Sequence, residues 1–93
     1  MKTMSGAKLA RALHISPARG MEAVIKAKLI SAVLKAVAST GLTHAEIAKR
    51  SGLPRSAITG ILSGSLQKVT IDRVLRLIEA VGLVAEVKVR RAA

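Results

Sequence analysis

The sequence predicts a small, mainly α-helical domain of four to five short helices closed by a single β-strand, and three observations predict it. The chain has 93 residues, one domain at most, which buries only roughly 60 to 65% of the surface its unfolded form exposes. Apolar residues recur at three- and four-residue steps as far as Val81, punctuated by Gly41, Gly52, Gly64 and Gly82; this is the pattern of helices with glycine stops. From Leu83 the period becomes two, which is the pattern of a strand.

The elements follow in order. Residues 1–20 carry Lys2, Lys8, Arg11 and Arg19 and no acid, and read as a basic arm. It has room for one short amphipathic helix through Leu9, Ala12, Leu13 and Ile15, while Ser16-Pro17 is a turn or a fresh helix start capped by Ser16. The helical domain spans residues 21–82. Its first helix, Met21 to Thr40, has an expected inward stripe of Met21, Ile25, Leu29, Ala32, Val33 and Ala36, widened by Ile30, Leu34 and Val37. Lys26, Lys28 and Lys35 are expected largely beside that stripe.

Thr43-His44-Ala45-Glu46 has the form of a capping box, opening a helix to about Ser51 with Ala45, Ile47 and Ala48 inward. Pro54 restarts the chain where a missing N–H costs little. The next helix, about Pro54 to Ser63, buries Ala57, Ile58, Ile61 and Leu62 and leaves Arg55, Ser56, Thr59 and Gly60 nearer to solvent. Thr70 caps a last helix through Ile71, Val74, Leu75, Ile78 and Val81, with Asp72 favoured in its first turn by the helix dipole. Residues 83–90 form the strand, in which Ala85, Val87 and Val89 alternate with Glu86, Lys88 and Arg90. The chain offers no second strand to pair with it. Its unpaired N–H and C=O groups therefore predict a homodimer, antiparallel across a two-fold axis, with Ala85, Val87 and Val89 as dimerisation residues.

Composition narrows the function. Sixteen Lys and Arg against five Asp and Glu give a formal charge of +11, which points to a polyanionic partner. Phe, Tyr and Trp are absent, so the core is aliphatic and the base-stacking platforms of RNA and single-strand binders are missing. Without cysteine there is no disulfide, thiol nucleophile or thiolate metal site. The five acids with His14 and His44 supply neither a nucleophile–base–orienter set nor three closely spaced ligands. No enzyme, cofactor or metal is expected. No run of about 18 apolar residues is present, so no membrane partner is expected, and the cytoplasm, on the nucleoid, is the default location. A different class stays open, in which the basic segment with Leu9, Leu13 and Ile15 lies on an anionic membrane surface or the first helix with its arm clasps a partner protein.

Two short helices joined at Gly52, within the roughly 20 residues between Gly41 and Gly64, make a helix-turn-helix by length and punctuation. The second helix must enter a major groove about 12 Å wide, so its outward side has to be polar and uncluttered. Arg55, Ser56, Thr59 and Gly60 meet that condition. The small residues Ser56 and Gly60 permit close approach, and Arg55 reaches either a guanine edge or a phosphate. Lys49, Arg50, Arg73 and Arg76 read as a solvated basic face.

Gly41-Leu42-Thr43-His44-Ala45-Glu46-Ile47-Ala48, then Ser51-Gly52-Leu53-Pro54-Arg55-Ser56-Ala57-Ile58-Thr59, then Ile61-Leu62-Ser63-Gly64, resembles the lambda-repressor-like, or xenobiotic response element, family of helix-turn-helix regulators. The run from Lys68 to Gly82 followed by an alternating strand resembles the subgroup containing HigA-type antitoxins and related transcriptional regulators. The resemblance covers residues 29–90. It implies that His44, standing where the family usually has Gln, contacts a backbone phosphate and steadies the recognition helix. It implies base or phosphate contacts for Arg55, Ser56, Thr59 and Gly60, and phosphate contacts for Ser63 and Lys68 in the flanking loop. Where relatives commonly cap the recognition helix with Ser or Thr, this chain has Pro54, and Gly60 cannot read a base by side chain.

The resulting expectation is a repressor that binds double-stranded DNA at a palindromic operator as a homodimer. Two alternatives accompany it: an antitoxin that holds a small ribonuclease toxin and autoregulates its operon, and a non-specific architectural DNA-binding protein. The basic arm weighs against the toxin, since a basic RNA-cleaving partner calls for acids.

Overall fold

A computed structural model describes residues 16–66 and 69–92. Four helices are present among them: α1 (Pro17–Thr40), α2 (His44–Ser51), α3 (Arg55–Leu62) and α4 (Ile71–Ala80). The first starts four residues before Met21, because Ser16 is a cap: its hydroxyl accepts the Arg19 N–H at 3.2 Å, and Pro17 fills the opening turn. It ends where predicted, with the Gly41 N–H returning to the Val37 carbonyl at 2.9 Å. A helix before Ser16 and the basic arm up to residue 15 lie outside the described residues.

The buried line of α1 differs from the predicted stripe. Ile30 and Val33 are buried, with Leu29, Ala36 and Val37 packed beside them, whereas Met21, Ile25 and Leu34 are about half exposed. The apolar residues of α1 cover more than half of its circumference, so periodicity alone does not select a face. The line continuing Ile30 and Val33 toward the N-terminus passes through Lys26, which is itself buried rather than beside the stripe. Its ammonium is satisfied one turn back by the Glu22 carboxylate at 2.7 Å. The hydrogen bond from Lys26 and its charge hold the Glu22 carboxyl below its ordinary range.

Caps define the remaining helices as the sequence predicts. In the Thr43–Glu46 box, the Glu46 N–H donates to Thr43 Oγ1 at 3.1 Å and the Thr43 N–H to Glu46 Oε1 at 3.3 Å. Ile47 is fully buried on α2, but Ala45 is exposed rather than inward, since α2 is short enough to present only one narrow side to the core. On α3, Ile58 and Ile61 are buried. On α4, Thr70 Oγ1 accepts the Arg73 N–H at 3.2 Å, and Val74, Leu77 and Ile78 face inward, with Leu77 buried where the sequence put Leu75, which is exposed. These residues converge with Ile30, Val33, Leu53, Ala80 and Val81 on one aliphatic core. No helix among the described residues is long and apolar enough to cross a membrane.

The expected strand is not formed. Beyond the Leu83 N–H, which donates to the Ile78 carbonyl at 2.9 Å, residues 84–92 are exposed and no β-strand occurs among the described residues. A strand needs a ladder partner, and the single chain provides none.

Ile58 is fully buried where α3 meets the core. Truncation by Ile58→Ala is expected to cost about 2 to 5 kcal/mol, read as a lowered denaturant midpoint; a loss under about 1 kcal/mol would contradict this packing.

Candidate nucleic-acid interface

The angle between α2 and α3 is set by the four residues Ser51 to Pro54. Gly52 adopts φ 74°, a left-handed conformation that costs any other side chain energy. Ser51 is buried, and its hydroxyl oxygen accepts the Leu53 N–H at 3.2 Å while its hydrogen is directed at the Ala48 carbonyl at 3.4 Å. Leu53 then drops into the core. Pro54, extended at φ −60° and ψ 144°, occupies the cap position itself, without a side-chain cap bond. Its ring fixes φ in the range the turn needs.

This turn presents α3 with Ile58 and Ile61 inward and Arg55, Ser56 and Thr59 outward and exposed. Gly60 is half-buried on the same helix, and a Cβ built there meets no atom within 4 Å. Neither packing nor backbone conformation therefore requires glycine at this position. Arg55 precedes Thr59 by one helical turn, so the two share a face.

Two of the predicted site residues meet directly. His44 Nδ1, from the first residue of α2, lies 3.1 Å from Thr59 Oγ1 on α3, a hydrogen bond whose donor depends on where the imidazole carries its proton. Ser63 stands just past α3, exposed, with its hydroxyl donating to the Gly60 carbonyl at 2.9 Å. Lys68 lies outside the described residues. Ala85, Val87 and Val89 are exposed in the C-terminal segment, apart from the α2–α3 pair in sequence and role.

Sequence reasoning assigned Arg50 to a solvated face, and the structure gives it another task. Its Nη1 donates to the Ala80 carbonyl at 3.3 Å, tying the last turn of α2 to the end of α4, where unpaired carbonyls favour a cation. A pairing across 30 positions leaves no local signature. Arg76 bonds Asp72 at 3.0 Å on the surface of α4, a pair exposed enough to add little stability.

A match to a known family agrees with this geometry. The profile of a helix-turn-helix domain family, HTH_37, matches residues 6–90, and the chain belongs to that family. Neither a curated protein nor a solved structure matched the chain. The match bears out a helix-turn-helix of the general xenobiotic-response-element type, and with it DNA binding and transcriptional regulation in general.

The open space at Gly60 separates fold from function. Gly60→Ala is expected to raise stability by about 0.5 to 1 kcal/mol, the helix preference of alanine, while weakening DNA binding by crowding the groove side of α3. Unchanged DNA affinity in a stabilised variant would show that nothing approaches this position closely.

Proposed function

Because the chain is a helix-turn-helix domain, we propose that it is a sequence-specific regulator of transcription that represses by occupying a palindromic operator as a homodimer. The observation that carries this reading is the division of α3. Ile58 and Ile61 anchor one side in the core, while Arg55, Ser56 and Thr59 are exposed on the other. That is the arrangement a helix needs to lie in a major groove with its side chains at base edges. A net charge of +11 supplies the sequence-independent attraction, and release of condensed counterions makes affinity fall steeply with salt.

The dimer rests on the C-terminal segment. Val87 and Val89 are 84% and 90% exposed, and with Ala85 they alternate with Glu86, Lys88 and Arg90, so they would share one side of the run if it became extended. Antiparallel pairing with the same run of a second copy satisfies the free backbone groups of both and covers both apolar sides. The operator-bound dimer in this reading sets its two α3 helices in successive major grooves, about 34 Å apart. In this reading the protein acts by occupancy, without catalysis, and works in the cytoplasm on the nucleoid. The likeness to HigA-type antitoxins makes a toxin-bound role the second reading, distinguished by a small toxin-like reading frame beside the gene.

Arg55 opens the groove-facing helix, and its replacement tests the reading. Arg55→Ala is expected to cost about 1 to 3 kcal/mol of DNA binding. Loss confined to one base position per half-site identifies a guanine contact, and uniform loss with a shallower salt dependence identifies a phosphate contact. Binding unchanged in both affinity and preference would remove α3 as the recognition helix.

A further inference from the structure

The bond between His44 Nδ1 and Thr59 Oγ1 joins the first residue of α2 to the outward side of α3, and the fold does not fix its direction. We propose that His44 is a specificity-determining residue whose proton sets whether the Thr59 hydroxyl donates to or accepts from the DNA. Base preference opposite Thr59 and proton uptake on binding are thereby linked. The inference rests on the DNA-binding reading above.

A hydroxyl has one hydrogen. When the imidazole is uncharged with its hydrogen on Nε2, Nδ1 accepts that hydroxyl hydrogen, and Thr59 shows the groove only lone pairs. When Nδ1 carries a hydrogen, it donates to Thr59 Oγ1, and the hydroxyl hydrogen turns outward. An accepting hydroxyl suits the amino groups of adenine N6 or cytosine N4, whereas a donating one suits guanine O6 and N7, adenine N7 or thymine O4. Only the imidazolium lets Thr59 donate outward while Nε2–H also donates to a phosphate, since the uncharged form with hydrogen on Nδ1 turns a lone pair toward that phosphate.

Across α2, α3 and α4 together, cations outnumber carboxylates, so the DNA brings the added negative charge. On α2 itself, Glu46 is engaged at Thr43, and Lys49 and Arg50 lie in its last turn. The charged residue of α3 is Arg55, one turn before Thr59. On α4, Arg76 reaches toward Gly52 at the far end of α2 and pairs with Asp72; Glu79 adjoins Ala80, which Arg50 holds at that same far end; Arg73 adds a cation. A backbone phosphate at the head of α2 favours the charged imidazole, so a proton is taken up on binding. The affinity that proton supplies is present at low pH and lost as pH rises.

The test is equilibrium binding of the full chain to a pool of random duplexes at about pH 6 and about pH 8.5, with the bound fraction sequenced. The wild type is compared with His44→Gln, Thr59→Val and, as a control at the other histidine, His14→Gln. Affinity of the wild type and of His14→Gln is expected to fall with pH, by at most about tenfold per pH unit for each proton taken up. One base position per half-site should change from guanine or thymine toward adenine or cytosine. His44→Gln should flatten the pH dependence and freeze that base preference, and Thr59→Val should abolish the change of preference. A pH slope or a base change that survives in His44→Gln overturns the inference, as does a wild type that enriches one motif identically at both pH values, which leaves the DNA-binding reading standing. Failure to bind or enrich any duplex at either pH overturns the DNA-binding reading and this inference with it.

Discussion

The burial of Ile58 and Ile61 against Val33, Ile47, Val74 and Leu77 is the contact on which the rest of the molecule depends. The helix they belong to has eight residues, too short to persist alone in water, so its shape and its orientation both come from what its inner side touches. Because that side is occupied by aliphatic groups in a core without aromatics, the outer side is left to Arg55, Ser56 and Thr59. The turn at Gly52 fixes the approach angle, the Ser51 hydroxyl bridges it to the Leu53 N–H, and Arg50 ties the end of α2 to α4. The exposed side of α3 is therefore presented by residues that lie beneath it.

The same economy shapes the choice of ligand. A protein with no aromatic side chain cannot hold unstacked bases between rings, and a small domain of charge +11 meets a polyanion readily. A regular duplex supplies phosphates at fixed spacing and base edges in a groove of helix width, which suits a charged frame around one small protruding helix. With Gly60 in the middle of that helix, few side chains are free to read bases. In the function proposed above, discrimination leans on Arg55, on the pair His44 and Thr59, and on the deformability of the DNA itself.

Much of this was legible in the sequence because caps and stops are local. The box at Thr43 and Glu46, the cap at Thr70, and the stops at Gly41 and Gly52 each need only four or five neighbouring residues, and all stand where the spacing puts them. The two sides of α3 were legible for the same reason. What failed depended on partners distant in sequence. The core line of α1 runs through Lys26 because α3 and α4 choose that line, and a lysine there survives only through Glu22. The contact between His44 and Thr59 spans 15 positions and exists because the turn folds one helix onto the other. The strand over residues 83–90 has the right alternation, but a strand is a property of two chains or two segments, and one segment cannot display it.

Two copies of a narrow recognition helix, held at a fixed separation and reading one face of a duplex, are the centre of the account. Selection of bound duplexes from a random pool at about 150 mM salt, where non-specific attraction is partly suppressed, tests it most directly. Recovery of an inverted repeat whose half-site centres lie about 10 base pairs, one helical turn, apart is expected. A pool that emerges without any motif, or with a single unrepeated site, would contradict it.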